Sequence, residues 1–179
     1  MRMTMAGGSV NFATMESLDE KEIRDSFVNC SKGEAGRIKL PVGPVPWRDL
    51  DFLGWTDPAA PLRALLVVPG RDGPTGLVLR RPEPRRTGTL RSSMCQVCLT
   101  DHASSGVALF VAPLAGPSGR NGNTVGQYIC SDLACSLYLR GKRKPKMRLV
   151  SREETLTLDE RVDRAMTNLS AFTDRVKAG

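Results

Sequence analysis

Histidine occurs once in this chain of 179 residues, at His102. A single imidazole leaves no Ser/His/Asp or Cys/His constellation to build away from that position. Aromatic residues make up only 5% of the chain, a poor supply of the stacking platforms that base recognition uses. Apolar runs such as ALLVV from Ala64 fall far short of a bilayer's thickness. The first residues, MRMTMAGGSVNFATMES, hold no continuous apolar segment with a small-residue cleavage site. The glycines between 116 and 122 lack the Lys-Ser/Thr ending of a phosphate-binding loop. These absences argue against an enzyme, a small-molecule substrate and a membrane protein, and they predict a cytoplasmic location.

What is present is ordinary soluble composition, 40% apolar and 25% charged, with enough length for one sizeable core. The formal charge is +7, and four thiolates around one Zn²⁺ would lower it to about +5. A basic chain favours an acidic partner, either nucleic acid or an acidic protein face.

Residues 1–15 are small, polar and Gly-containing, which predicts a flexible tail ahead of a single domain over 16–179. Ser17 followed by Glu20 fits a helix cap box, with Leu18, Ile23, Phe27 and Cys30 on the buried face and KGEAG at the end. Cys30 reads as a small apolar residue on that helix. RIKLP and WRDLDFLGW read as extended segments. RALLVV and GLVLRR, divided by PGRDGPT, read as a hairpin. GVALFVAP and TVGQYIC read as strands around a mobile glycine-laden loop, and SDLACSLYLRGK reads as a helix. Thr157 and Glu160 repeat the cap-box pattern. Leu158, Val162, Ala165, Met166, Leu169, Phe172 and Val176 then share one face of a long C-terminal helix.

Four of the five cysteines form two close pairs, Cys95-x2-Cys98 and Cys130-x4-Cys135. A close pair offers two sulfurs from one tight turn, and tetrahedral zinc needs four such donors. A strand, loop and strand between the pairs would fold the second back onto the first. It would place that second pair at a strand end and in the first turn of a helix. This order of knuckle, hairpin and helix is the treble-clef arrangement, placed at about residues 90–145. One structural Zn²⁺ is the favoured reading, with redox thiols or no site as the alternatives. In a cytosolic chain, disulfides are the weaker explanation. Glycine is missing beside the first pair, which reads CQVCL. His102 reads as a solvent-facing turn residue, with a replacement ligand or a donor to the cysteines as the other roles. The expected fold class is α+β: a small mixed β-sheet lobe with an N-terminal helix, a treble-clef zinc finger and a long C-terminal helix.

Two tracts carry most of the basicity. Arg140 to Arg152 holds seven Lys or Arg and no acid, and Arg71 to Arg91 holds six arginines against Asp72 and Glu83. Seven like charges repel unless something anionic neutralises them. Phosphates or an acidic protein surface would both do so.

The CxxC pair, GVALFVA and GxTVGQYIC-x4-C, preceded by DSFVNCSKGEAGRIKLP and DLDFLGWTDP, together resemble the elongation factor G-binding proteins of the FusB type, and more closely their short FBP-domain relatives. The resemblance spans about residues 16–177. It implies zinc held by Cys95, Cys98, Cys130 and Cys135. It also implies binding to elongation factor G on the ribosome through the zinc-finger lobe, with a link to fusidic acid resistance. The chain departs from the resistance proteins in having room for one helix before the sheet, and in carrying Gln96 and Val97 within the first pair. The nearest counterparts of the family's partner surface are Arg120, Tyr128, Lys142 and Phe172. Arg140, Arg143 and Lys144 of the basic tract complete the partner-binding candidates. A ribosome- or RNA-binding zinc module is the competing expectation.

Overall fold

A five-stranded sheet divides the molecule, and each face carries its own core. The computed structural model describes residues 15–83, 93–103, 105–145 and 154–179. The strands are β1 (Leu53–Thr56), β2 (Arg63–Val68), β3 (Thr75–Arg80), β6 (Val107–Pro113) and β7 (Thr124–Cys130), in that spatial order, and every ladder is antiparallel. A two-stranded ribbon, β4 (Ser93–Met94) with β5 (Asp101–His102), stands apart. Strand alternation sorts the side chains. Ala64, Leu66 and Val68 of β2 join one core, while Leu65 and Val67 join the other. Both sets are buried, which explains the unbroken apolar run in RALLVV.

The N-terminal elements cover β1 to β3 on one face, with Met15, Ile23, Ile38, Leu50, Leu53 and Trp55 in that core. Here the structure corrects the sequence reading. The chain forms two short helices, α1 (Glu20–Asp25) and α2 (Lys32–Arg37), where one was expected. The cap of α1 is Asp19, reciprocally bonded with Glu22, because the x-x-Glu spacing that Ser17 offers is repeated two residues later. KGEAG begins α2 rather than ending a helix, since Ser31 and Glu34 form a second capping box. The Arg24 guanidinium then donates to the carbonyls of Ala35, Gly36 and Ile38, each at 2.9 Å, satisfying the C-terminal end of α2. RIKLP is not a strand: Arg37 closes α2 and residues 38–41 are a loop, with Ile38 buried in the core. Cys30 is half-buried between the two helices, and burial raises its thiol pKa.

Residues 26–29 wedge between β3 and β6, a feature the sequence does not announce. Gly76 donates to Ser26 O at 2.8 Å and accepts from Val28 N at 3.0 Å. The Asn29 side chain accepts from Val78 N and donates to the carbonyls of Val78 and Pro113, so one amide spans both strands. Direct register between β3 and β6 is confined to Arg80 opposite Val111.

On the other face lie the cysteine cluster and α5 (Leu158–Lys177), capped by Thr157 and Glu160 as expected. Its apolar stripe holds, with two changes: Leu158 is exposed, and Thr173 joins the buried face by bonding Leu169 O at 3.0 Å. The glycine-laden loop expected to be mobile contains α3 (Gly116–Arg120), entered through Pro117. Ala115 N bonds Val176 O at 2.8 Å and ties it to the end of α5. The expected tail falls on residues 1–14, outside the described residues, whereas Met15 is buried and bonds Leu50 O. No helix among the described residues is long and apolar enough to cross a membrane.

Candidate metal centre

The first cysteine pair sits in the turn between β4 and β5. Cys95 N donates to Thr100 O at 3.1 Å, and Leu99 N donates to Cys95 O at 3.0 Å. The turn needs a left-handed residue after the second cysteine, and Leu99 supplies it with φ +58°. Glycine is the residue suited to that conformation, and here leucine adopts it. The amides of Val97 and Cys98 both donate to Cys95 Sγ at 3.4 Å. Cys130 ends β7, Leu133 takes φ +56° in the connecting turn, and Cys135 opens α4 (Cys135–Leu139).

These elements bring all four sulfurs within 4.8 Å of one another, every one of them on a buried residue. Cys95 Sγ lies 3.7 Å from Cys135 Sγ, and Cys98 Sγ lies 3.5 Å from Cys130 Sγ. A disulfide would need about 2.05 Å. Four sulfurs about 2.3 Å from one ion would stand about 3.8 Å apart, so the cluster fits tetrahedral zinc.

Protonation chemistry points the same way. Hydrogen bonds from Cys130, Cys135 and Cys98 favour the Cys95 thiolate and hold its pKa far below the usual thiol range. Bonding to Cys130, Cys95 and Cys98, together with full burial, pushes Cys135 well above it. One thiolate therefore suppresses another, a conflict that a divalent cation removes by stabilising all four. The cysteines form a single structural zinc site.

Around the sulfurs the sequence reading of His102 is corrected. It is buried, 3% exposed, and its Nε2 lies 3.3 Å from Cys130 Sγ. Burial lowers the imidazole pKa, so the neutral ring with Nε2–H is the form that donates to a thiolate. Tyr138 meets the ring edge-on at 4.7 Å between centroids, and its hydroxyl donates to Asp132 at 2.8 Å. Cys98 Sγ lies 3.2 Å from Thr100 Oγ1, donor as a thiol and acceptor as a thiolate.

The finger is joined to the rest of the molecule through α4. Leu139 enters the core beside the cysteines, while Leu137 packs against the core on the other side of the sheet. Leu133 passes over β1 at Gly54, where an added Cβ would lie 2.6 Å from Leu133 Cβ. Arg140 donates to Asp51 through both terminal guanidinium nitrogens, at 2.6 and 2.8 Å, and Asp51 N donates to Ser136 Oγ at 2.9 Å.

Three of the four described basic residues from Arg140 to Lys144 thus find anions inside their own chain. Lys142 pairs with Asp49 at 2.7 Å and Arg143 with Asp132 at 2.8 Å, both toward solvent, and Lys144 is exposed. Lys146, Arg148 and Arg152, and likewise Arg85, Arg86 and Arg91, lie outside the described residues. Of the other partner-binding candidates, Arg120 and Tyr128 are exposed. Phe172 is fully buried beneath the sheet, with Arg175 over its ring at 5.7 Å, so it is a core residue.

A knuckle, a returning hairpin and a helix holding one four-cysteine zinc site define a treble-clef zinc protein. The family described as FBP C-terminal treble-clef zinc-finger matches residues 22–176. The chain belongs to that family. No match was found among curated proteins or among solved structures.

Proposed function

We propose that the chain binds translation elongation factor G through its zinc-finger lobe and modulates that factor's release from the ribosome. The observation that carries this reading is the family match over residues 22–176. A link to fusidic acid resistance follows from the resemblance to FusB-type proteins. On this reading the protein is a cytoplasmic, non-enzymatic binder. Four sulfurs complete a tetrahedron and leave no position for a reacting water, so the ion serves shape rather than chemistry. For small sites of this kind, zinc binding contributes about 10–16 kcal/mol in apparent terms. A finger stiffened to that extent shifts its partner only through unequal affinity for the partner's states.

Arg120, Tyr128, Lys142, Arg143 and Lys144 are the exposed members of the predicted contact set, Lys142 pairing with Asp49 and Arg143 with Asp132. Arg140 is engaged by Asp51 and Phe172 lies in the core, so neither is offered to a partner. The RNA-binding reading gains nothing here. Three of the four described cations in its main tract already face Asp51, Asp49 and Asp132, and among the described residues Tyr128 is the single aromatic of the exposed large hydrophobic set.

Co-purification of the zinc-loaded chain with elongation factor G at low salt tests the proposal. Capture that disappears after chelation is the expected result. No capture at low salt, or retention on ribosomal RNA fragments with a steep salt slope and no need for the factor, would reject it.

A further inference from the structure

Strand β7 is an edge strand, and only part of its outer rim is covered. Gln96 covers the part at Tyr128: Gln96 N donates to Tyr128 O at 2.9 Å, and Tyr128 N donates to Gln96 Oε1 at 3.0 Å. The N–H and C=O of Tyr128 therefore point away from β6. The register of β6 with β7 is continuous, so residues two and four positions earlier share that orientation. These are Gly126, opposite Val111, and Thr124, opposite Pro113, which has no N–H to contribute. Among the described residues, the outward backbone groups of Thr124 and Gly126 have no hydrogen-bond partner.

A groove runs along this rim, with walls of different character. Tyr128 and Leu109 lie on the sheet face away from α5, and Tyr128 is 49% exposed. Gly126 keeps that wall open, since a Cβ there would sit 3.0 Å from Leu109 Cδ1. The opposite wall is α5, which presents Arg164, Asn168 and Arg175. Arg164 bonds Glu154, whereas Arg175 donates only to the neutral Gln127 side chain, at 2.7 Å. No carboxylate lines the groove among the described residues.

We propose that this rim accepts an extended acidic peptide segment of a partner protein as a sixth strand. Main-chain bonds to Thr124 and Gly126 would continue the pairing that Gln96 begins. Side chains of an added strand alternate between its two faces, so one set meets Tyr128 and Leu109 while the other meets Arg164 and Arg175. The occupant is thus a segment in which apolar and acidic residues alternate. The inference does not depend on elongation factor G being the partner.

A displayed library of random heptapeptides, panned against the zinc-loaded full chain, supplies the probe. Enriched peptides are expected to alternate apolar and acidic residues. Added to the ¹⁵N-labelled chain, they should slow amide exchange at Thr124 and Gly126. Arg175→Glu should weaken their binding by about tenfold, the effect of one lost charge-assisted contact. Thr124→Pro removes an outward N–H without touching the ladder to β6 and should weaken binding comparably. The wild-type exchange measurement stands even if that variant fails to fold. Failure to enrich any sequence class overturns the proposal, as does binding that leaves the Thr124 and Gly126 amides unprotected. These outcomes are separate from the elongation factor G test, which can succeed or fail without them.

Discussion

Arg140 and Asp51 form a two-pronged ion pair, 15% and 6% exposed, that fastens the zinc-finger helix to the segment leading into β1. The two residues are 89 positions apart in sequence. A charge that reads in sequence as part of a binding tract is therefore a tether.

Removing one partner of such a pair leaves a buried charge without compensation. Arg140→Ala is expected to destabilise the zinc-loaded chain by about 3–5 kcal/mol in urea denaturation. The double replacement Arg140→Met with Asp51→Leu should recover most of that loss, because the stranded carboxylate is gone as well.

Gly54 tests the contact between finger and sheet. Gly54→Ala places a methyl 2.6 Å from Leu133 Cβ, and Leu133 lies within the turn joining Cys130 to Cys135. Overpacking at such a site costs about 1–3 kcal/mol. Unlike a distant core substitution, it should also weaken zinc retention against a chelator.

His102 Nε2 lies 3.3 Å from a sulfur of the zinc site, and the four cysteines make up the ligand set without it. His102→Ala should lower zinc affinity by about 10–100-fold in competition with a fluorescent chelator, the range typical of residues that orient ligands. The metal should still bind at one ion per chain. Loss of all binding would mean that the imidazole is itself a ligand.

Much of this was legible in the residues. The hairpin of RALLVV and GLVLRR, the strands either side of residues 114–123, the capped helix from Leu158 and the four sulfurs all follow from periodicity, turn chemistry and spacing. The N-terminal region was misread because Ser17, Asp19 and Ser31 all precede a glutamate by three residues, and only tertiary packing selects among equivalent caps. His102 was misplaced because burial of a polar ring depends on Tyr138 and Cys130, both far away in sequence. The structural roles of Asn29, Asp51 and Gln96 carry no signal in the sequence. Each works through one long-range hydrogen-bond set, and nothing in the neighbouring residues marks it.

The pairing of the basic tract has the same cause. A run of like charge is visible locally, but Asp49, Asp51 and Asp132 are supplied by the fold.

Native mass spectrometry of freshly prepared, fully reduced protein, with hydrogen exchange on the same sample, puts the zinc centre to its most direct test. One Zn²⁺ should be bound per chain with four protons displaced, and the Cys130→Ser chain should lose both the metal and exchange protection in β7 and α4. A reduced, metal-free chain with the same protection as the starting protein would contradict the account.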